Sequence, residues 1–512
     1  MHENGEMTSN ANLFTLLRGG FPADLDHTAI EVADGDRLRY SWRDLEQGSA
    51  RMANLLAALT LPAGSRVAVQ TDKCVEGLML YLAVLRAGLI YLPLNPAYQA
   101  GEMTGFIQDA EPAVVVCSGA NFGWVSKLAF TQGSGHVFTL NTDRTGSLLE
   151  RAAHHADEHE PVLRSASDVG VILYTSGTTG RSKGAQLTHG NMGSNALTLK
   201  SAWAWTDDDV LIHALPIFHI HGLFVALHGA LLAGAKLIWF GRFEPAAVVA
   251  RLPDATLFMG VPTLYVRLLD EPGLTAEACR QMRVFISGSA PLLPDTFSAW
   301  QQRTGHTLLE RYGMSETVML TSNPYRAEDG PRVAGTVGRA LPGVQVRVAN
   351  ASDDGIGGIE VRGPNVFAGY WRLPEKTSEE FTADGWFKTG DVGRLDDKGY
   401  LHIVGRSKDL VITGGFNVYP AEVEAMLNDQ PGVSESAVVG VPHPDFGEAV
   451  IAVVVAKPGA TLTAEALRGA LKPLLANFKQ PKHVALMSEL PRNSMGKVQK
   501  NELRKQFATL FA

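Results

Sequence analysis

The sequence predicts an α/β fold: a large N-terminal domain of layered sheets and helices with a β-rich subdomain at its end, then a small α+β C-terminal domain. Three observations carry this reading. Short β-branched runs that end in Gly, Ser or Pro alternate with helical patterns through most of the chain, as in layered folds with mainly parallel sheet. After about Ile356 the texture changes to hairpins and turns. Beyond Arg406 the pattern becomes strand, helix, strand, strand, and then a helix-rich tail.

Taken in order, RVAVQ (Arg66–Gln70) is the first clear strand, Val75 to Ala87 is amphipathic, and AVVVC (Ala113–Cys117) is the next strand. VGVILYTSG, KLIWF, ATLFMGVP and VFISGSAP continue the series. GGIEVRGPNVFAGYW and GYLHIVGRS read as hairpins closing the large domain. DLVITGG, PAEVEAMLNDQ, VSESAVVGVP and EAVIAVVVAK then build the small one, with a basic cluster around Lys479 and Lys482 in the tail. The boundary is placed near Gly405–Lys408, giving domains 1–405 and 406–512.

Composition narrows the class. The 512 residues carry a net charge of −8, with 45% hydrophobic and 19% charged side chains, as expected of a globular protein with ample core. That balance gives no global attraction to nucleic acid or to an anionic membrane. Cys74, Cys117 and Cys279 are scattered and odd in number, without metal-ligand spacing, which suits a reduced, cytoplasmic protein. The start, MHENGEMTSNANLF, has neither a basic n-region nor an apolar run, so it reads as no targeting segment. The apolar stretch Gly222 to Trp239 is interrupted by His228, Gly229 and Lys236 and reads as buried helix and strand, with no stable membrane association expected.

The most informative segment is Tyr174-Thr-Ser-Gly-Thr-Thr-Gly-Arg-Ser-Lys-Gly184. Glycines let backbone N–H groups close around phosphate oxygens, hydroxyls add donors, and Lys183 adds charge. It is not a P-loop, because Gly180 is followed by Arg181, Ser182 and Lys183 where that motif needs Lys and then Ser or Thr. The segment resembles the signature of the adenylate-forming superfamily, which includes acyl-CoA synthetases and peptide-synthetase adenylation domains. Further elements follow in the family's order: Leu215-Pro-Ile-Phe-His-Ile-His-Gly222, Ser287-Gly-Ser-Ala-Pro291, Glu310-Arg-Tyr-Gly-Met-Ser-Glu-Thr317, Thr389-Gly-Asp391, Gly405-Arg-Ser-Lys-Asp409 and Pro491-Arg-Asn-Ser-Met-Gly-Lys497.

The resemblance implies residue roles. Thr175, Ser176, Gly177, Thr178, Thr179, Gly180 and Lys183 would cradle ATP phosphates. Ser289 and Ala290 would border adenine and acyl group, and Glu310, Arg311, Tyr312, Gly313 and Ser315 would form the element whose tyrosine stacks on adenine. Ser315 stands where the family has Thr; the hydroxyl survives. Glu316 would hold Mg²⁺ with Thr175 as a second ligand, since a hard cation prefers oxygen. Asp391 would accept from the ribose hydroxyls and Arg406 would support ribose and phosphate. His219 would stand where acid, ATP and thiol meet, and Lys497 would bridge carboxylate and α-phosphate during adenylation. Lys408 would be the hinge of a mobile C-terminal domain, with Gly414 and Gly415 reaching the centre when coenzyme A reacts.

Within the superfamily the pattern is most similar to malonyl-CoA synthetases, in runs such as ILYTSGTTGRSKGA, MGVPTLYVRLL, FISGSAPLL and LERYGMSET. Malonate's second carboxylate then needs a buried cation or strong donors. Arg267 is the favoured cation and Arg283 the second candidate; Ile220 and His221 would line the pocket, with His221 and Ser289 as hydrogen-bonding partners and Met319 as an apolar wall. Arg242 reads as surface. The implied substrates are malonate, ATP and coenzyme A, and an exposed Lys497 would suit a lysine acetyltransferase. Methylmalonate or another short acid is the nearest alternative. Loading of a carrier protein is a further one, disfavoured because no carrier domain is seen before Ala512.

Overall fold

A computed structural model of the chain describes residues 10–34, 37–175, 182–413, 416–444, 446–475, 477–493 and 496–511. The described residues form layered sheets and helices, the α/β class expected. They divide into two compact units, residues 1–345 with 362–385, and residues 346–361 with 386–512.

The first unit contains two large sheets. A nine-stranded sheet runs, in spatial order, Arg339–Ala340, Thr321–Ser322, Leu308–Tyr312, Val284–Ser287, Leu257–Gly260, Val210–His213, Lys236–Trp239, Thr28–Val32 and Arg39–Ser41. From Leu308–Tyr312 to Thr28–Val32 every pairing is parallel. Strands Val284–Ser287 and Leu257–Gly260 are buried along their whole length, because helices cover parallel sheet on both faces. Trp300, Tyr265 and Phe285 meet edge to face in the core beside this sheet. The second sheet orders Gly369–Tyr370, Lys183–Thr188, Val169–Thr175, Ile90–Pro93, Arg66–Gln70, Val114–Cys117 and His136–Thr139. Its central strands are parallel and feed a core of Phe106, Ile107, Val115 and Ile172. Helix His189–Ala202 starts where the sequence says it should: Thr188 and Asn191 form a capping box that satisfies two otherwise unpaired N–H groups.

The second unit holds a four-stranded sheet, Gln345–Ala349, Gly357–Arg362, Phe387–Leu395 and Leu401–Arg406, and a five-stranded sheet built on the long hairpin Val433–His443 with Gly447–Ala456. The boundary expected at residue 405 therefore differs from the division found, which groups strands Phe387–Leu395 and Leu401–Arg406 with the C-terminal part. Helix Pro420–Asn428 packs beside Leu401–Arg406, and the Ser407 hydroxyl donates to the Gly390 carbonyl at 3.0 Å. The three cysteines are buried and free. Among the described residues no helix is long and apolar enough to cross a membrane.

Candidate active site

Four parallel strands of the first sheet end side by side at His213, Gly260, Ser287 and Tyr312. In open parallel sheets ligands bind beyond these carboxyl ends, and the segments leaving them carry the sequence motifs. After His213 the chain folds tightly through Leu215–Gly222; a Cβ on Gly222 would meet the Pro216 carbonyl oxygen at 2.1 Å. His221–Ala226 then forms a π-helical turn, a feature frequent at functional sites. This places His219 in a partly open position and buries His221. Burial pushes His219 down to about 4 and holds His221 well below its usual range, so both imidazoles are neutral at pH 7.

Beyond Ser287, the Ser289 backbone sits at φ +72°, an uncommon conformation for a residue with a Cβ. It brings the hydroxyl to 3.3 Å from Nδ1 of His221. Ala290 follows, half-buried. In strand Leu308–Tyr312, Glu310 accepts the Leu292 N–H at 3.2 Å, and burial pushes it up to about 8, so it carries a proton at neutral pH. Arg311 is buried, whereas Tyr312 at the strand's end is half-buried. Gly313 is required: a Cβ there would lie 1.8 Å from the Val318 carbonyl oxygen. The loop tucked under it contains Ser315, half-buried, and Met319, fully buried, whose Cε packs against the Gly313 backbone.

Glu316 is 5% exposed, and the Tyr370 hydroxyl donates to its Oε1 at 3.0 Å. Thr175 ends strand Val169–Thr175, and Lys183 opens the strand paired with it. The Lys183 ammonium lies 3.2 Å from Glu380 and 4.1 Å above the Tyr370 ring. Ser176, Gly177, Thr178, Thr179 and Gly180 lie outside the described residues, as do Gly414 and Gly415.

In the second unit, Asp391 and Arg406 face each other across paired strands, with Nε of Arg406 3.1 Å from Oδ1 of Asp391. Thr389 fixes the turn: its hydroxyl accepts the Asp391 N–H at 3.1 Å and donates to the Ile359 carbonyl at 2.9 Å. Lys497 belongs to the same neighbourhood. Its side chain is exposed, yet the surrounding protein and the charges of Arg406 and Lys408 push it down to about 8, while Asp391 and Asp409 pull the other way. Lys408 lies in the short turn Ser407–Asp409, exposed, and Arg504 ties that turn down through Asp409 at 2.6 Å.

The AMP-binding enzyme family model matches residues 23–371, and the AMP-binding enzyme C-terminal domain matches 422–497. This chain belongs to the AMP-binding enzymes. Among relatives, it is 35% identical to the malonate–CoA ligase of Arabidopsis thaliana, over 86% of this chain and 78% of that protein. It is 33% identical to the mitochondrial malonate–CoA ligase of Homo sapiens, over 93% and 91%. The crystal structure of ATP-bound MatB from Rhodopseudomonas palustris superposes with a TM-score of 0.94 at 52% identity, covering 98% of this chain and all, 100%, of that one.

Two expectations for this AMP-binding enzyme fail on geometry. Arg267 is exposed: helix Pro262–Leu269 turns Tyr265 and Leu268 inward, and a residue two positions after Tyr265 lies about 200° around the helix. It cannot be a buried counter-ion. Arg283 is already neutralised, its Nε and Nη2 donating to Asp209 at 2.6 and 2.7 Å and its Nη1 to the Trp203 carbonyl. Its charge belongs to the fold. Helical phasing alone would have turned Arg267 outward.

Proposed function

We propose that this chain ligates malonate to coenzyme A at the expense of ATP, through a malonyl-adenylate, releasing AMP and pyrophosphate. The observation that carries the reading is the 52% identity to ATP-bound MatB across 98% of the chain, with the segments carrying His219, Ser289 and Tyr312 leaving strand ends of the first sheet. In the first step a malonate carboxylate oxygen bonds to the α-phosphorus and the bond to pyrophosphate breaks. In the second the coenzyme A thiolate attacks the acyl carbon and AMP departs with the bonding pair.

The chain's part is positioning and cancellation of charge. Lys183 and Lys497 would bring positive charge to phosphates and to the attacking carboxylate. A lysine poised near 8 remains mostly charged at neutral pH. Tyr312 offers its ring to adenine, and Asp391 would accept from ribose hydroxyls beside Arg406. Neutral His219 orients by hydrogen bonding and adds no charge. Glu316 and Thr175 present only oxygen atoms, the donor chemistry that Mg²⁺ requires, and would hold it. When bound, that ion would offset triphosphate charge. A pivot at Lys408 would exchange the C-terminal segments between the steps. Pyrophosphate and AMP release over a panel of malonate, methylmalonate, acetate and butyrate tests the reading; a preference for a monocarboxylate would end the malonate assignment.

A further inference from the structure

Arg311 carries a buried charge that no salt bridge among the described residues neutralises. The residue is 2% exposed, and among the described residues its Nε and Nη2 meet no hydrogen-bond acceptor and its guanidinium forms no salt bridge. Buried Arg86 is paired with Glu46 at 2.9 Å, and half-buried Arg283 with Asp209. Leaving a charge buried and uncompensated is strongly unfavourable, so a site that keeps one is built for an anionic occupant.

The surroundings say which anion. The guanidinium lies directly on Gly288, where a Cβ would come within 2.5 Å of Cζ, so only glycine leaves room for it. Tyr265, His221 and Glu310 are close enough to interact with its charge, and burial keeps the Glu310 carboxyl largely protonated, so it is no full counter-ion. His221 reaches Ser289, while its Nε2 and the Ser287 hydroxyl meet no partner among the described residues. Successive side chains of a strand point to opposite faces, so Arg311 faces away from Tyr312, the residue offered to adenine. The two carboxylates of malonate also differ. The reacting one loses its charge on adenylation, whereas the distal one stays anionic through both steps and needs a permanent counter-ion.

We infer that Arg311, seated on Gly288 with His221 and Tyr265 around it, is the residue that binds the distal carboxylate and selects dicarboxylate over monocarboxylate acids. This rests on the malonate reading above and names the determinant of it. The test compares kcat/KM for malonate and butyrate in wild type, Arg311→Gln and Arg311→Lys, with KM for ATP and the melting temperature of the ligand-free protein. Arg311→Gln should lose about 10²–10³-fold on malonate, and far less on butyrate. KM for ATP should stay within a few-fold, and the melting point should hold or rise because an uncompensated charge is gone. Arg311→Lys should recover part of the malonate activity. If wild type prefers malonate and Arg311→Gln keeps that preference, the inference is overturned while the malonate reading stands. Equal losses on both acids with a lower melting point would assign Arg311 to the fold, and a rise in KM for ATP would assign it to phosphate. A wild type that prefers butyrate would overturn both readings.

Discussion

Replacing Arg283 separates an acid-binding role from a structural one. Asp209 is 2% exposed and accepts four bonds: two from Arg283, one from the Thr256 hydroxyl at 2.8 Å and one from the Thr206 N–H at 2.9 Å. Arg283 itself is held by the Trp203 carbonyl at 2.8 Å and stacks 4.9 Å from the Tyr325 ring. Arg283→Leu removes one member of a largely desolvated, bidentate pair and leaves the carboxylate in place. Breaking such a pair costs about 3–5 kcal/mol, which is about two to three and a half powers of ten in the unfolding constant. The assay is denaturant unfolding followed by circular dichroism, alongside malonate turnover at a temperature where the variant is folded. Adding Asp209→Asn to Arg283→Leu should restore most of the lost stability, because the amide carries no stranded charge. A variant of unchanged stability that fails only on malonate would refute this reasoning and return Arg283 to the acid pocket.

Arg267→Leu should leave malonate turnover and stability within a few-fold of wild type, since the side chain is exposed; a selective loss on malonate would contradict its placement. Lys497→Ala should nearly abolish pyrophosphate release while sparing thioester formation from supplied malonyl-adenylate, and equal loss in both assays would remove its assigned role. With this lysine pushed down to about 8, kcat/KM for adenylation should fall as pH rises past that value and the ammonium loses its proton. Lys497→Arg should flatten that limb, and an unaltered limb would mean that another group titrates. Gly288→Ala places a methyl where the Arg311 guanidinium sits, so selectivity for malonate over butyrate should drop although the charge remains; unchanged selectivity would show that the guanidinium has room to move.

The sequence by itself determined the class and most of the nucleotide motifs. Val114–Cys117, Val433–His443 and helix Pro420–Asn428 were legible because strand and helix periods are local. The domain boundary was less legible, since strand Leu401–Arg406 takes its neighbours from both sides of residue 405. The arginine proposed for the acid lay furthest out of reach. Glu310 and Arg311 stand together inside one motif, but whether each is paired depends on side chains remote in sequence: Leu292 for the first, Gly288, His221 and Tyr265 around the second. Likewise Arg283 and Arg267 look equally available as cations until Asp209 claims the first and the helix turns the second to solvent. A charge's role follows from what else is buried with it, and burial is a property of the whole fold, so only the tertiary structure separated Arg311 from the other arginines.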